Sequence, residues 1–174
     1  MILLLIGAIL VVLLIFSAFF SSAETALFSL NPIRIHRIRR TRPRAAREIE
    51  ALLGAPTQLL SSILIGNTLV NMIGAALGYA LAESLWPGRG TLISIPCMTI
   101  LLVIFGEIGP KCLAVRYPEV MASLYRRPLQ ITIIAVTPAR LLIEWITDRL
   151  KGHFVPHRPA LTGEELLTVV DAVH

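Results

Sequence analysis

Residues Ile2 to Ala23 read ILLLIGAILVVLLIFSAFFSSA and contain no charged side chain. About 20 such residues are enough to cross the hydrocarbon core of a bilayer as an α-helix. A cleavable signal peptide would have a basic start and a shorter apolar core, and the N-terminal sequence from Met1 has neither. The stretch therefore predicts a retained membrane-spanning helix.

The composition of the whole chain agrees with this start. Of its 174 residues, 55% are hydrophobic and 16% are charged, and the mean hydropathy is +0.75. These values exclude a water-soluble globule. They favour an all-α membrane protein, because lipid offers no hydrogen-bond partners and a helix satisfies its backbone N–H and C=O groups internally. The net charge of +5 comes from basic residues beside apolar runs, so we expect no nucleic-acid partner.

Two further uncharged runs predict two further spans. The first covers Ala51 to Ala82, with Pro56 suited to a helix start. The second covers Gly90 to Gly106, whose 17 residues are long enough to cross the bilayer only if the neighbouring residues are included. Pro96 is expected to bend this helix. The sequence thus predicts three transmembrane helices with kinked or broken segments in a multi-pass protein of the cell (inner) membrane.

Seven arginines directly after the first span predict the orientation. Since basic loops stay in the cytoplasm, the N-terminus should lie outside and the C-terminus inside. The same stretch is expected to form juxtamembrane interfacial helices and to bind anionic lipid headgroups. These residues are Arg34, Arg37, Arg39, Arg40, Arg42, Arg44 and Arg47.

A fourth, weaker run lies at residues 128–147, where Gln130, Pro138 and Arg140 interrupt the apolar pattern. A full crossing would carry basic residues outside, so we favour a helix in the inner interface and keep a fourth crossing as the alternative. Residues 151–174 are expected to begin an acidic helical linker, in which Thr162 and Glu165 have capping-box spacing.

Several polar side chains fall where lipid should exclude them, and an ionisable group at that depth suggests a functional site. Ser21, Asn67 and Glu107 each lie eleven residues from a proline at or near the cytoplasmic end of a span. At 1.5 Å per residue this is about 16 Å, near the middle of a core about 30 Å thick. We therefore expect the three residues to meet at one level. The prolines are Pro32, Pro56 and Pro118.

A main-chain oxygen is expected at the same place. Pro110 has no amide hydrogen for the carbonyl of Gly106, and a freed carbonyl at membrane depth is tolerated where it lines a cavity or binds an ion. A kink without function is the alternative. The ligands would then all be hard oxygens, which suit Mg²⁺, although Na⁺ and Ca²⁺ remain open.

Other polar residues allow a purely structural explanation. Asn67 and Asn71 share a helix face with two glycines, a pattern that also serves helix packing. Glu24 could pair with Lys111 in a salt bridge, or act as a sodium ligand or gate.

Cys97, Cys112 and the four histidines show no metal-ligand spacing, and the predicted spans contain no Ser/His pair or aspartate dyad. We therefore expect no enzyme activity.

Three motifs, in this order, resemble the transmembrane domain of the CNNM/CorC family. They read FSSAETALFSLN (residues 20–31), IGNTLVN (residues 65–71) and GEIGPK (residues 106–111), the last followed by RYPE at residues 116–119. The resemblance covers residues 1–150 and implies three spans, juxtamembrane helices and a homodimer. A pair of CBS domains normally follows in that family, so the chain is expected to be a truncated membrane domain.

The resemblance also implies a magnesium site between the spans. Carried over residue by residue, its ligands are Ser21, Asn67, the Gly106 carbonyl and Glu107, with Asn71 as a neighbour. Ser22-Ala23 stands where Gly-Ser or Ala-Ser is common in the family, which puts a second hydroxyl ligand in doubt.

The resemblance implies magnesium transport as sodium-coupled export, which we expect to pass through a dehydrated site halfway across the membrane. The alternative is a membrane-bound magnesium sensor that regulates other transporters without transporting the ion itself.

Overall fold

The computed structural model describes residues 1–154, and within this range the protein is all-α, without a strand. Met1–Arg140 forms one compact unit, and the described residues from Leu141 onward belong to a second. The helices are α1 (Ile2–Phe28), α2 (Pro32–Thr41), α3 (Pro43–Leu53), α4 (Pro56–Leu85), α5 (Gly90–Leu101), a π-helical segment (Leu102–Ile108), α6 (Gly109–Arg116) and α7 (Pro118–Phe154).

Three helical stretches in the described part of the chain are long and apolar enough to cross a membrane. They are α1, α4 and the composite stretch Gly90–Arg116, with 27, 30 and 27 residues. The third is interrupted by the π-helical segment, which lies between α5 and α6. The prediction of an all-α membrane protein with three spans, one of them broken, is confirmed.

Proline marks the start of four helices, namely α2, α3, α4 and α7. Proline suits the first helical turn because an amide hydrogen there has no acceptor within the helix. Asn31 reinforces the start of α2, since its side-chain oxygen accepts a hydrogen bond from the Arg34 backbone amide at 2.8 Å. The helix boundaries near the arginine-rich stretch are therefore set locally.

The short helices α2 and α3 follow the first span, as expected for juxtamembrane helices. The buried face of α3 consists of Ala45, Ala46, Ile49 and Leu52. Ion pairs join this region to α7: Arg37 contacts Glu119 at 3.0 Å, and Arg126 contacts Glu48 at 2.7 Å. Arg37 of the arginine-rich stretch thus attaches α2 to α7, and Glu48 attaches α3 to the same helix.

The fourth apolar run forms part of α7, which is not among the three candidate spans of the described residues. The predicted linker begins within the end of α7. Its remainder, including Thr162 and Glu165, lies outside the described residues.

The best-packed part of the first unit surrounds the second half of α1. Ala23, Ala26 and Leu27 are fully buried there, together with Ile49 of α3 and Ala114 of α6. The first half of α1 instead exposes most of its large apolar side chains, such as Leu4 and Leu5. Exposed apolar side chains around a long uncharged helix are typical of a surface that faces lipid.

Candidate metal site between the membrane helices

A close contact between α1 and α4 brings the first polar groups together. Ser17 is fully buried, and its hydroxyl donates to the side-chain oxygen of Asn67 at 3.4 Å. One residue earlier, Gly66 lies against the ring of Phe20: a Cβ on Gly66 would stand 2.6 Å from Phe20 Cζ. The absence of a side chain at Gly66 therefore lets the two helices approach and places Asn67 beside Ser17.

The third span reaches the same place through its π-helical segment. The Gly109 amide donates to the Ile104 carbonyl, five residues earlier, which is the hydrogen-bond spacing of a π-helix. Pro110, which follows at once, cannot donate to the Gly106 carbonyl as an α-helix would require. The wider turn thus coincides with the proline that the sequence singled out. Such turns are frequent at functional sites.

Gly106 and Glu107 of this segment face α1. A Cβ on Gly106 would stand 2.7 Å from Ser17 Oγ, so the backbone of the third span approaches that hydroxyl closely. One turn further along α1, the Ser21 hydroxyl donates to the main-chain carbonyl of Glu107 at 3.4 Å. Two serines of one helix face therefore touch both other spans.

The structure brings Glu107 to Ser21 and places Asn67 one helical turn away along α1. Ser21 contacts Glu107 directly, whereas Asn67 contacts Ser17, four residues before Ser21. The recorded contact of Glu107 is made by its backbone oxygen, and its side chain is half-buried. We call the group of Ser17, Ser21, Asn67, Gly106 and Glu107 the polar cluster.

The hydrogen bonds within the polar cluster are long. Hydroxyl–oxygen bonds in proteins are usually near 2.7–2.8 Å, whereas both interhelical bonds here measure 3.4 Å. Bonds of this length hold the hydroxyls weakly, and each serine oxygen keeps its own lone pairs. The cluster can therefore offer oxygen atoms to a cation without losing strong internal bonds.

Asn71 lies one turn beyond Asn67 on α4, and its side-chain oxygen is buried without a hydrogen-bond partner. A buried acceptor left unpaired costs about 1–3 kcal/mol, so such atoms in native proteins usually have a water or ligand partner. The unpaired oxygen of Asn71 is therefore suited to bind a metal ion or to hold a water that is bound to the ion.

The available ligand chemistry is oxygen with a single negative charge. Among the described residues, no three His, Cys, Asp or Glu side chains gather in one place. The polar cluster instead combines hydroxyl, amide and main-chain oxygens with the carboxylate of Glu107. Oxygen ligands suit hard cations such as Mg²⁺, Na⁺ and Ca²⁺.

Ser22 makes its contacts on another side of α1. Its hydroxyl donates to the Ala18 carbonyl at 2.6 Å and lies 3.1 Å from the hydroxyl of Tyr125 in α7. Ser22 and Pro110 both line a cavity of about 780 Å³ between α1, α6 and α7. The other lining residues are mostly apolar, so this cavity does not extend the polar cluster.

Glu24 and Lys111 do not form the salt bridge that the sequence left open. Arg37–Glu119, Arg39–Glu50 and Arg126–Glu48 are ion pairs of the described residues, and neither Glu24 nor Lys111 belongs to one of them. Glu24 is half-buried and Lys111 is exposed. The alternative role of Glu24, as a sodium ligand or gate, stays a prediction.

Ser17 is the residue that sequence reasoning did not include in the site. It lies in the first span but outside the motif that begins at Phe20, so the family resemblance gives it no role as a ligand. The signal was its spacing: residues four apart share a helix face, and Ser17 precedes Ser21 by four. That pattern alone would have placed both hydroxyls on one face of α1.

The fold and the site define a multi-pass membrane protein with polar groups from three spans gathered between its helices. The chain belongs to the CNNM family: residues 8–174 match the cyclin M transmembrane N-terminal domain. Membrane proteins of this family are generally linked to metal-ion transport.

Relatives occur in bacteria and plants. The chain is 34% identical to the UPF0053 inner membrane protein YfjD of Escherichia coli over 159 residues, which is 88% of this chain and 37% of that protein. It is 37% identical to a UPF0053 protein of Haemophilus influenzae over 64% of this chain and 26% of the relative. A chloroplastic DUF21 domain-containing protein of Arabidopsis thaliana is 30% identical over 92% of this chain and 25% of its own length. The chain thus spans between a quarter and two fifths of these relatives.

Proposed function

We propose that this chain is the membrane domain of a magnesium transporter that moves Mg²⁺ through the polar cluster. The observation that carries the proposal is the convergence of the two other spans on two serines of α1: Ser17 contacts Asn67 and lies close to Gly106, and Ser21 contacts Glu107. Oxygen atoms from separate helices at membrane depth provide a binding position that a cation can reach only by losing part of its water.

The ligand set favours a weakly held divalent ion. Mg²⁺ takes six oxygens at about 2.0–2.1 Å and usually keeps several waters, so one carboxylate and a few neutral oxygens are sufficient. A transported ion must also leave, and a single negative charge binds less tightly than a cage of carboxylates. Asn71 is positioned to hold a water of the bound ion, because its oxygen is buried and has no partner.

Transport requires that the cluster opens to each side of the membrane in turn. The π-helical segment is the element suited to this movement, since its hydrogen bonds can change register without unfolding the span. Direction and coupling rest on the family resemblance, which implies export driven by sodium. The same resemblance implies a homodimer. Native mass spectrometry of the protein in detergent would test this by measuring the mass of the assembly.

The direct test is ion flux through the purified chain in liposomes loaded with a magnesium-sensitive dye. The chain should carry Mg²⁺ with no other protein present, and an imposed sodium gradient should change the rate. Glu107→Gln should abolish most of the flux while the elution volume of the protein stays the same. Glu50→Gln is the matched control, because it removes one carboxylate outside the spans, where Glu50 pairs with Arg39.

The outcome also separates transport from sensing. A sensor would bind Mg²⁺ with the same dependence on Glu107 but would leave the dye signal unchanged in every liposome. Binding without flux, in this chain and in a full-length relative tested alongside it, would overturn the transport proposal.

A further inference from the structure

A polar cleft of about 400 Å³ lies at the end of two spans, where α1 leads into α2 and α6 leads into α7. Its lining includes Arg34, Arg37 and Arg116, which come from both of these connections. The cleft is separate from the polar cluster and shares no residue with it. We call it the arginine cleft.

The arginine cleft carries an excess of positive charge. Its single carboxylate, Glu119, is paired with Arg37 at 3.0 Å. Arg34 and Arg116 have no carboxylate partner among residues 1–154, and the Arg116 guanidinium lies 5.6 Å from the ring centroid of Tyr117. Two guanidinium groups are thus available to an anion, and a guanidinium matches the geometry of phosphate oxygens.

Apolar side chains stand at the same cleft. Ile33 and Val120 line it with 72% and 63% of their surfaces exposed. Tyr117, which also lines the cleft, directly follows the third span, and aromatic residues at the ends of spans commonly meet lipid headgroups. A free phosphate has no apolar part that could contact the exposed isoleucine and valine. A lipid carries apolar chains attached to its phosphate and could contact both.

We propose that the arginine cleft binds the phosphate of an anionic lipid headgroup, held by Arg34 and Arg116 with the lipid's apolar part against Ile33 and Val120. The bound lipid would join the connection α1–α2 to the connection α6–α7, next to the ion pair between Arg37 and Glu119. The proposal does not depend on which ion the polar cluster takes.

The test measures binding of short-chain phosphatidylglycerol to the purified chain in detergent, by native mass spectrometry. The double variant Arg34→Gln/Arg116→Gln should lose about thirtyfold in affinity, since each basic side chain near an anionic headgroup contributes about 1 kcal/mol. The matched control is Arg44→Gln/Arg47→Gln, which removes the same charge from exposed positions of α3 that do not line the cleft. The control should lose less than about threefold, because salt screens distant exposed charges.

Two further ligands identify the source of the phosphate. Phosphatidylcholine of the same chain length should bind more weakly to the unmodified chain, and glycerol phosphate should bind hardly at all. Ile33→Gln should weaken phosphatidylglycerol binding although it leaves every arginine in place. If glycerol phosphate binds as tightly as the lipid, the cleft is a site for a soluble phosphate and the lipid proposal is wrong.

Equal losses in the double variant and its control would show general attraction by the basic surface, and would also overturn the proposal. Circular dichroism without lipid establishes that each variant is folded. If the double variant is not folded, the single variant Arg116→Gln replaces it, and its affinity for phosphatidylglycerol should fall about fivefold. Arg116 is exposed at the end of the third span, so the fold should tolerate this variant.

Discussion

The hydroxyl of Ser17 donates to the side-chain oxygen of Asn67 at 3.4 Å, and the same hydroxyl stands where a Cβ on Gly106 would come within 2.7 Å. One buried serine of α1 therefore touches both α4 and the third span. This arrangement brings the two other spans against the same small side chain. It also determines which substitutions distinguish a metal site from ordinary helix packing.

Adding a methyl group at Gly106 should disturb the site. Gly106→Ala should lower the affinity for Mg²⁺ and destabilise the protein by about 1–3 kcal/mol, because the new Cβ overlaps Ser17 Oγ. Thermal unfolding in detergent with and without Mg²⁺ measures both effects. Gly74→Ala is the control, since its Cβ would meet Met98 at an ordinary 3.9 Å.

A second change separates crowding from ligand loss. Adding Ser17→Ala to Gly106→Ala removes the overlapping oxygen, so stability without the ion should partly recover. The affinity for Mg²⁺ should not recover, because the hydroxyl is itself a proposed ligand. Full recovery of both would show that Ser17 acts through packing alone.

Neutralising Glu107 should weaken binding without unfolding the chain. Even the loss of groups that only support metal ligands lowers metal affinity about 10- to 100-fold, so Glu107→Gln should cost at least about tenfold. Calorimetric titration with Mg²⁺ gives the value, with Glu50→Gln as the control for a lost charge outside the spans. An affinity unchanged from that of the original chain would remove Glu107 from the site.

Asn71 and Ser62 each bear a buried oxygen without a hydrogen-bond partner, and the two should behave differently. Asn71→Leu should leave the stability of the ion-free protein unchanged or raised, because an unpaired acceptor is removed from the interior, and should reduce the stabilisation by Mg²⁺. Ser62→Ala also removes an unpaired buried oxygen, on the same helix, but should leave the response to Mg²⁺ unchanged. If both variants keep the full response in the unfolding assay, Asn71 has no role in binding.

The orientation in the membrane can be read from cysteine labelling. In a chain with Cys97→Ser and Cys112→Ser, Arg89→Cys should react with an impermeant maleimide on intact cells, since Arg89 is exposed in the turn between α4 and α5. Arg44→Cys should react only after the cells are opened, because the arginine-rich helices are expected in the cytoplasm. The reverse pattern would place the N-terminus inside.

The turn that carries Arg89 is well defined for this purpose. The carboxylate of Glu83 accepts hydrogen bonds from the amides of Gly88 and Gly90 at 2.7 and 2.9 Å. Gly88 has a φ of +77°, which favours glycine at this position. Substitutions for labelling should therefore avoid Gly88.

The sequence by itself determined the number of spans, their approximate limits and the residue types at membrane depth. Uncharged length, prolines at helix starts and clustered arginines are local signals, and they predicted α1, α4 and the broken third span. The spacing of Ser21, Asn67 and Glu107 from their prolines also predicted a common level, because helical rise is constant.

Only the tertiary structure decided which oxygens actually meet. It brought Ser17 into the polar cluster, gave Ser21 the carbonyl of Glu107, and turned Ser22 toward Tyr125. These contacts depend on how closely helices approach at Gly66 and Gly106 and on the wider turn before Pro110. The rotation of one helix against another is set by packing between residues far apart in the chain, and no local pattern contains that information.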